Sequence, residues 1–389
     1  MNWKERYLAA VKHQEPDLIP IAPEMWYLVP ARLTNLKFYQ IGLWGLFIPE
    51  LHKIKCWESQ LQCARHFDTC GWINPSLGPS RKQPKTTVHL GTHEDGSVKL
   101  TMVHHTSLGN LTEVYKCPDD DAPWQTEHCV KEKEDWDAFR KVFFVDPWTC
   151  DVTEIEEAAA ATGGAGIVSG PIGNLFLDWL AVSREGGIAQ IIVELEDDPA
   201  FFEKIYQEYT DYMVERVKVL CTKTSCDEVF IGCLYSEVPI VSPELYKRWE
   251  IPLLKKIGET AKQYGKPSHL HQHGLLSRII GDIATTGISL VCPMENPPLG
   301  DIDLGNVKQK HGNQIALKGN IRTKILCDGP LEAIEEEVKT CIHKSASGGG
   351  LVLGTGDQVH RDTPFEHLHF LRKVAEKYGR YPMGRASEK

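Results

Sequence analysis

The chain has 389 residues, 42% hydrophobic and 25% charged, with a formal net charge of -10. This suits one large α/β domain or two smaller ones, and the acidic balance argues against nucleic acid as a partner, since such binders concentrate Lys and Arg on phosphates. The most apolar stretch, residues 165–182, is broken by Ser169, Pro171, Asn174 and Asp178, and the N-terminal segment Met1-Asn2-Trp3-Lys4-Glu5-Arg6-Tyr7-Leu8 lacks an apolar signal core, so neither a membrane span nor a leader is expected.

In chain order, short β-rich runs alternate with amphipathic stretches, the pattern of a parallel α/β fold. Strands are expected at Leu18-Ile19-Pro20-Ile21-Ala22, more weakly at 69–73, then at 166–169, 228–231, 267–271, 289–292, 315–318 and 351–353. Eight strands favour a closed (β/α)8 TIM barrel, preceded by N-terminal helical elements, over an open sheet. Helices are expected at 198–220, 243–264, 275–286, 330–345 and 364–378, from apolar spacing and nearby Pro, Ser or Asp starts. Residues 85–108 alternate around Glu94-Asp95-Gly96 and predict an inserted β-hairpin, within an insertion of about 75–115 that would cover the barrel mouth. With no repeat, low-complexity tract or linker, a single domain over 1–389 is the simplest organisation. Twelve cysteines without a CxxC pair read as reduced thiols of a cytoplasmic protein, and the seven-residue spacing of Cys56, Cys63 and Cys70 as a buried stripe.

Two runs concentrate the chemistry. In Ser268-His269-Leu270-His271-Gln272-His273-Gly274, alternate residues of a strand share a face, so the three imidazoles look inward while Leu270 and Gln272 look out. Far downstream, Gly348-Gly349-Gly350-Leu351-Val352-Leu353-Gly354-Thr355-Gly356-Asp357 is a short apolar strand flanked by glycines and closed by a carboxylate. Imidazoles and a carboxylate at strand mouths suit a metal or an acid–base pair; packed, hydrogen-bonded core histidines are the plain alternative.

Other segments recur in a definite order: Glu15-Pro16-Asp17-Leu18-Ile19-Pro20 behind an opening helix, Ser169-Gly170-Pro171-Ile172-Gly173-Asn174, Val241-Ser242-Pro243-Glu244, the histidine run, Gly319-Asn320, and Leu353-Gly354-Thr355-Gly356-Asp357 leading to Asp362-Thr363-Pro364. Nearly end to end, this succession resembles the uroporphyrinogen decarboxylase superfamily, which includes cobalamin-dependent methyltransferases such as the methylcobamide:coenzyme M methyltransferases. Each motif is weak alone; their order and spacing carry the resemblance.

The resemblance places candidate metal ligands, with zinc the expected metal, at His271, His273 and Asp357, where the thiol-activating members carry His, Cys and Cys. Two imidazoles and a carboxylate make a harder Lewis acid, suited to oxygen rather than a thiol. The decarboxylase branch holds a many-carboxylate porphyrinogen with early paired arginines, whereas Pro23-Glu24-Met25-Trp26-Tyr27-Leu28 offers a carboxylate and aromatics. What the resemblance then implies is the O-demethylase component of an anaerobic methyl-transfer system. It would move a methyl group from a small, aromatic methyl ether to the Co(I) corrinoid of a partner protein. This chain has no Asp-x-His-x-x-Gly loop for a corrinoid's lower ligand, Asp357 to His360 being wrongly spaced, so the corrinoid is expected on the partner.

The expected catalytic residues are His271, Asp357, Glu237 and Glu295, the two glutamates by their positions just past strands. Glu24, Trp26, Tyr27, Tyr235 and Asn320 are expected to contact substrate, with Trp44, Trp57 and Trp72 as further aromatics, although tryptophans more often supply core area. His269 reads as a deeper, structural residue, and Glu24 and Glu237 have solvated loop charges as their plain reading. The competing activity is a decarboxylase acting on a smaller carboxylate, with His271, Asp357 or Glu295 handling protons; a non-catalytic scaffold is the third reading. A homodimer is compatible with all of them.

Overall fold

The computed structural model describes residues 1–42 and 48–383; Trp44 lies outside the described residues. Eleven strands occur among them: β1 (Gly71–Ile73), β2 (Thr86–Thr92), β3 (Val98–Thr106), β4 (Gly109–Cys117), β5 (Trp124–Glu127), β6 (Gly166–Asn174), β7 (Glu228–Gly232), β8 (Ser268–His271), β9 (Leu290–Cys292), β10 (Ala316–Ile321) and β11 (Leu351–Thr355). Seven form one parallel sheet in the order β1-β6-β7-β8-β9-β10-β11. Intervening helices such as Pro199–Lys223, Pro243–Gln263, Leu331–Ser345 and Phe365–Tyr378 account for the near-continuous burial of β8, β10 and β11, because crossover helices pack the outer face of a parallel sheet.

The run expected as the first strand does not form one. Pro20 has no N–H to give to a ladder, and the segment is reduced to isolated bridges, Leu18 to Arg380 and Ile21 to Leu353. Its backbone nonetheless bonds both edges of the sheet: the Ala22 N–H donates to the Leu353 carbonyl at 2.8 Å, and the Ile21 carbonyl accepts from the Cys70 N–H, just before β1, at 2.7 Å. Both edges thus meet one segment, so the sheet curls into a TIM-like half-barrel.

Three other expectations shift. The inserted hairpin exists, with Gly96 at φ +86°, but continues into β4 and β5 as a four-stranded antiparallel sheet reaching Glu127, beyond the expected insertion. A lone hairpin is marginal in water, and the buried Leu100 and Met102 on β3 need the added cover. The helix expected at 275–286 is a 3-10 turn, Leu276–Arg278, and one short helix, Ile280–Ile283; Thr285 and Thr286 bond back to the carbonyls of Asp282 and Ile283 and stop it there. The strand expected at 166–169 runs on to Asn174, with a bulge where pairing with β7 shifts between Pro171 and Gly173. All twelve cysteines are free thiols, with Cys56, Cys63 and Cys70 buried, and no helix among the described residues is long and apolar enough to cross a membrane.

Candidate active site

The carboxyl ends of the parallel strands bring most of the expected residues together. His269 and His271 share the inner face of β8. The deeper His269 is fully enclosed, with Nδ1 2.9 Å from Glu228 Oε1 and Nε2 2.9 Å from Cys292 Sγ. His271 Nδ1 faces the same sulfur at 3.1 Å, and its Nε2 stands 2.8 Å from Nε2 of His273, whose Nδ1 is 3.2 Å from Glu295 Oε2. At the inner end, Glu228 accepts from Ser169 Oγ at 2.6 Å and from Tyr7 OH at 3.1 Å. A continuous line of polar contacts therefore runs from the helix Trp3–Val11 to the rim.

Burial divides the charges along this line. It forces the His271 pKa down to about 3, against the pull of Glu24, so His271 is neutral. Burial also opposes the charge on His273, but the hydrogen bond to Glu295 and the fields of Asp357, Glu295 and Glu24 prevail and raise it to about 9. Of the two facing Nε2 atoms, His273 thus carries the proton and donates to His271. Burial pushes Asp357 up to about 6, and it raises Glu237, on which His273 and Glu295 also act.

Glu24, fully buried rather than a solvated loop charge, lies 3.1 Å from the Nζ of equally buried Lys318 through Oε1. Burial disfavours its charge, but Lys318 and then His271 overcome this and hold it at about 2. Its Oε2, 3.7 Å from His271 Nδ1, is buried without a hydrogen bond among the described residues. Lys318 Nζ sits 3.5 Å from the ring centroid of Trp72, which packs with Trp26 and Phe230 into an aromatic wall; Trp26 and Trp72 lie 6.1 and 6.0 Å from the His271 ring.

The loop after β7 is held by two buried carboxylates. Asp178 accepts the Tyr235 N–H and, at 2.7 Å, the Ser236 N–H; Glu250 accepts from the Phe176 and Leu177 N–H groups and the Ser236 hydroxyl at 2.8–2.9 Å. Burial pushes Asp178 up to about 6 and Glu250 up to about 8. Gln272 faces outward, accepting from Tyr246 OH at 2.9 Å and donating to the Ser236 carbonyl at 3.0 Å. Beside the loop, a cavity of about 1250 Å³ lies between the inserted sheet and the half-barrel, lined in part by Tyr27 and Tyr235. Asn320 is not brought to the histidines: its Oδ1 accepts from the Cys341 thiol of the outer helix, 3.2 Å away. Trp57 is a buried core residue.

A profile of the uroporphyrinogen decarboxylase (URO-D) family matches residues 118–378, well over half of the chain. The chain belongs to the uroporphyrinogen decarboxylase family. The uroporphyrinogen decarboxylases of Shigella dysenteriae serotype 1 and Shewanella piezotolerans are 33% identical to it over 82 residues and 32% over 81. Those stretches cover 20% and 21% of this chain and 23% of each relative, so the chain matches under a quarter of their length. A solved methyltransferase from Methanosarcina mazei shares the fold, with a TM-score of 0.63, 14% identity and coverage of 97% of this chain and 99% of that one.

In this member of the uroporphyrinogen decarboxylase family the three expected ligands divide between two adjacent groups. His273 and Asp357 join Glu295, and His271 joins Glu24 and Cys292; within each group the candidate ligand atoms lie within 4.8 Å of one another. Both donor sets fit zinc, and the unbonded Oε2 of Glu24 is a ready ligand atom. A thiol therefore stands in a site expected to be free of them, although burial pushes the Cys292 pKa well up. Lys318, Cys292 and Glu228 were not singled out from the sequence. For Lys318 and Glu228 the signal is a charged residue inside an apolar strand run, clear for Lys318 in Ile315-Ala316-Leu317-Lys318, whereas Cys292 carries no such mark.

Proposed function

We propose that this protein is a methyltransferase that removes the methyl group from a small, aromatic methyl ether and delivers it to the Co(I) corrinoid of a partner protein. The observation that carries this reading is the rim group in which the imidazolium of His273, held at about 9, stands with Asp357, raised to about 6, and Glu295 beside an aromatic wall. Co(I) is a strong nucleophile, so the enzyme's task is to improve a poor oxygen leaving group. A positioned acid typically contributes ~10²–10⁴-fold to such a step. Asp357 is the candidate donor to the departing oxygen, and the His271–His273–Glu295 line keeps charge balanced behind it. Trp26 and Trp72 would pack the substrate ring, and the wide cavity at Tyr27 and Tyr235 offers an approach. The buried cation of the wall, Lys318, is already matched by Glu24 and so is not free to pair with a substrate carboxylate.

If zinc is bound, His273, Glu295 and Asp357 would hold it, with His271 of the adjacent group as a further candidate ligand, and it would supply Lewis-acid polarisation of the substrate oxygen.

The test mixes purified protein with a reduced corrinoid carrier and a methoxylated aromatic and follows methyl–cobalt by absorbance. The reading expects transfer that His271→Ala and Asp357→Ala abolish, with zinc content measured in parallel. No transfer from any O-, N- or S-methyl donor, or release of carbon dioxide from a carboxylate without corrinoid, would overturn it.

A further inference from the structure

The inserted sheet carries a second set of mixed ligands, remote in sequence from the histidine run. His104 on β3 and Glu113 on β4 are diagonal neighbours on one face, because the register pairs Met102 with Glu113 and His104 with Leu111. His104 Nε2 lies 3.0 Å from Glu113 Oε1, and the ligand atoms of these two residues and Cys129 all fall within 4.8 Å of one another. A tetrahedral zinc with bonds of about 2.0–2.3 Å holds its ligands roughly 3.3–3.8 Å apart, so small side-chain adjustments suffice.

The surrounding contacts orient each group. Thr86 Oγ1 lies 2.9 Å from His104 Nδ1 and accepts its proton in the tautomer that frees Nε2. Tyr115 OH and Gln125 Nε2 both donate to Glu113 Oε2, at 3.1 and 2.9 Å, leaving Oε1 towards His104. Outer hydrogen bonds of this kind fix ligand direction and tautomer in metal sites. His104 and Cys129 are buried, and all three residues line the 1250 Å³ cavity. Cys129 follows β5, and the next residue, Val130, donates its N–H to the Ser183 carbonyl at 2.9 Å, beside the half-barrel.

We propose that His104, Glu113 and Cys129 form a separate site for a zinc-class divalent cation that ties the inserted sheet to the half-barrel on the cavity wall. One nitrogen, one carboxylate oxygen and one sulfur select zinc over magnesium or calcium, which favour all-oxygen shells. On binding, the Cys129 S–H bond breaks, a metal–sulfur bond forms, and the proton passes to solvent.

The test titrates the metal-stripped full chain with Co²⁺, whose thiolate complexes give charge-transfer absorption, and counts the cobalt retained. The thiolate absorption is expected to fall in Cys129→Ser and to be unchanged in Cys221→Ser, a thiol outside the ligand groups, and Cys129→Ser retains one fewer cobalt per chain than wild type. Thr86→Val, which leaves all three ligands in place, is expected to weaken binding about 10–100-fold. Equal absorption and stoichiometry in wild type and Cys129→Ser would overturn the site. If Cys129→Ser fails to fold, unchanged cobalt affinity in both Thr86→Val and Glu113→Gln overturns it instead. The readout is independent of methyl transfer, so this site and the proposed activity stand or fall separately.

Discussion

Lys318 Nζ lies 3.1 Å from Glu24 Oε1, with both side chains closed off from solvent. Removing one partner of a buried pair leaves an uncompensated charge, so Lys318→Met is expected to cost about 3–5 kcal/mol, read from urea unfolding, and Lys318→Met/Glu24→Gln to recover much of it. Glu24 is depressed to about 2 from an ordinary 4.5, so its contribution is complete above pH 4.5 and lost as pH falls towards 2. Glu24→Gln should lack that part of the acid transition; an identical acid limb in both proteins would refute the assignment.

His273 has the opposite sign. Its pKa is raised from 6.5 to about 9, so in the metal-free protein its contribution is whole below pH 6.5 and lost as pH rises through 9. Glu295→Gln removes the main hydrogen-bond partner, and the imidazole should then titrate nearer 6.5 by proton NMR. An unmoved midpoint would show that Glu295 does not hold the charge.

Trp72 serves the site through its ring and its N–H, which donates to Ser169 Oγ at 2.7 Å. Trp72→Phe keeps most of the wall and loses this hydrogen bond, an expected cost of about 1 kcal/mol. Trp72→Ala empties the wall and is expected to cost about 3–5 kcal/mol. Equal losses in denaturant melts would mean that the wall contributes no packing.

Gly274, directly after His273, has φ +88°, and a Cβ there would come within 2.4 Å of the Val238 carbonyl oxygen. Gly274→Ala should therefore cost about 1–3 kcal/mol in strain and displace the loop that carries Glu237. Because misplacing a reacting group by about 1 Å can cost 10²-fold, methyl transfer should fall more steeply than stability. A variant with native melting and native turnover would exclude this role.

Strand and helix placement was largely legible because apolar periodicity and Pro, Ser or Asp starts are local signals; five of the later strand runs reappear nearly as read. The exceptions have local chemistry that periodicity does not register: Pro20 denying a ladder its donor, Thr285 and Thr286 bonding back to stop a helix. Two-residue spacing likewise puts His269 and His271 on one face, and glycines place Asp357 at a strand end.

Which atoms face each other was not legible. His271 and His273 divide between two groups because Cys292 from β9 and Glu24 from the segment before residue 28 reach the same place only when the sheet curls. Which imidazole carries the proton follows from burial and from the carboxylate each meets, both set by packing between residues far apart in the chain. From sequence came the kinds of side chain available at the rim; tertiary structure decided their pairing and charge, because distance and desolvation exist only once the strands are side by side.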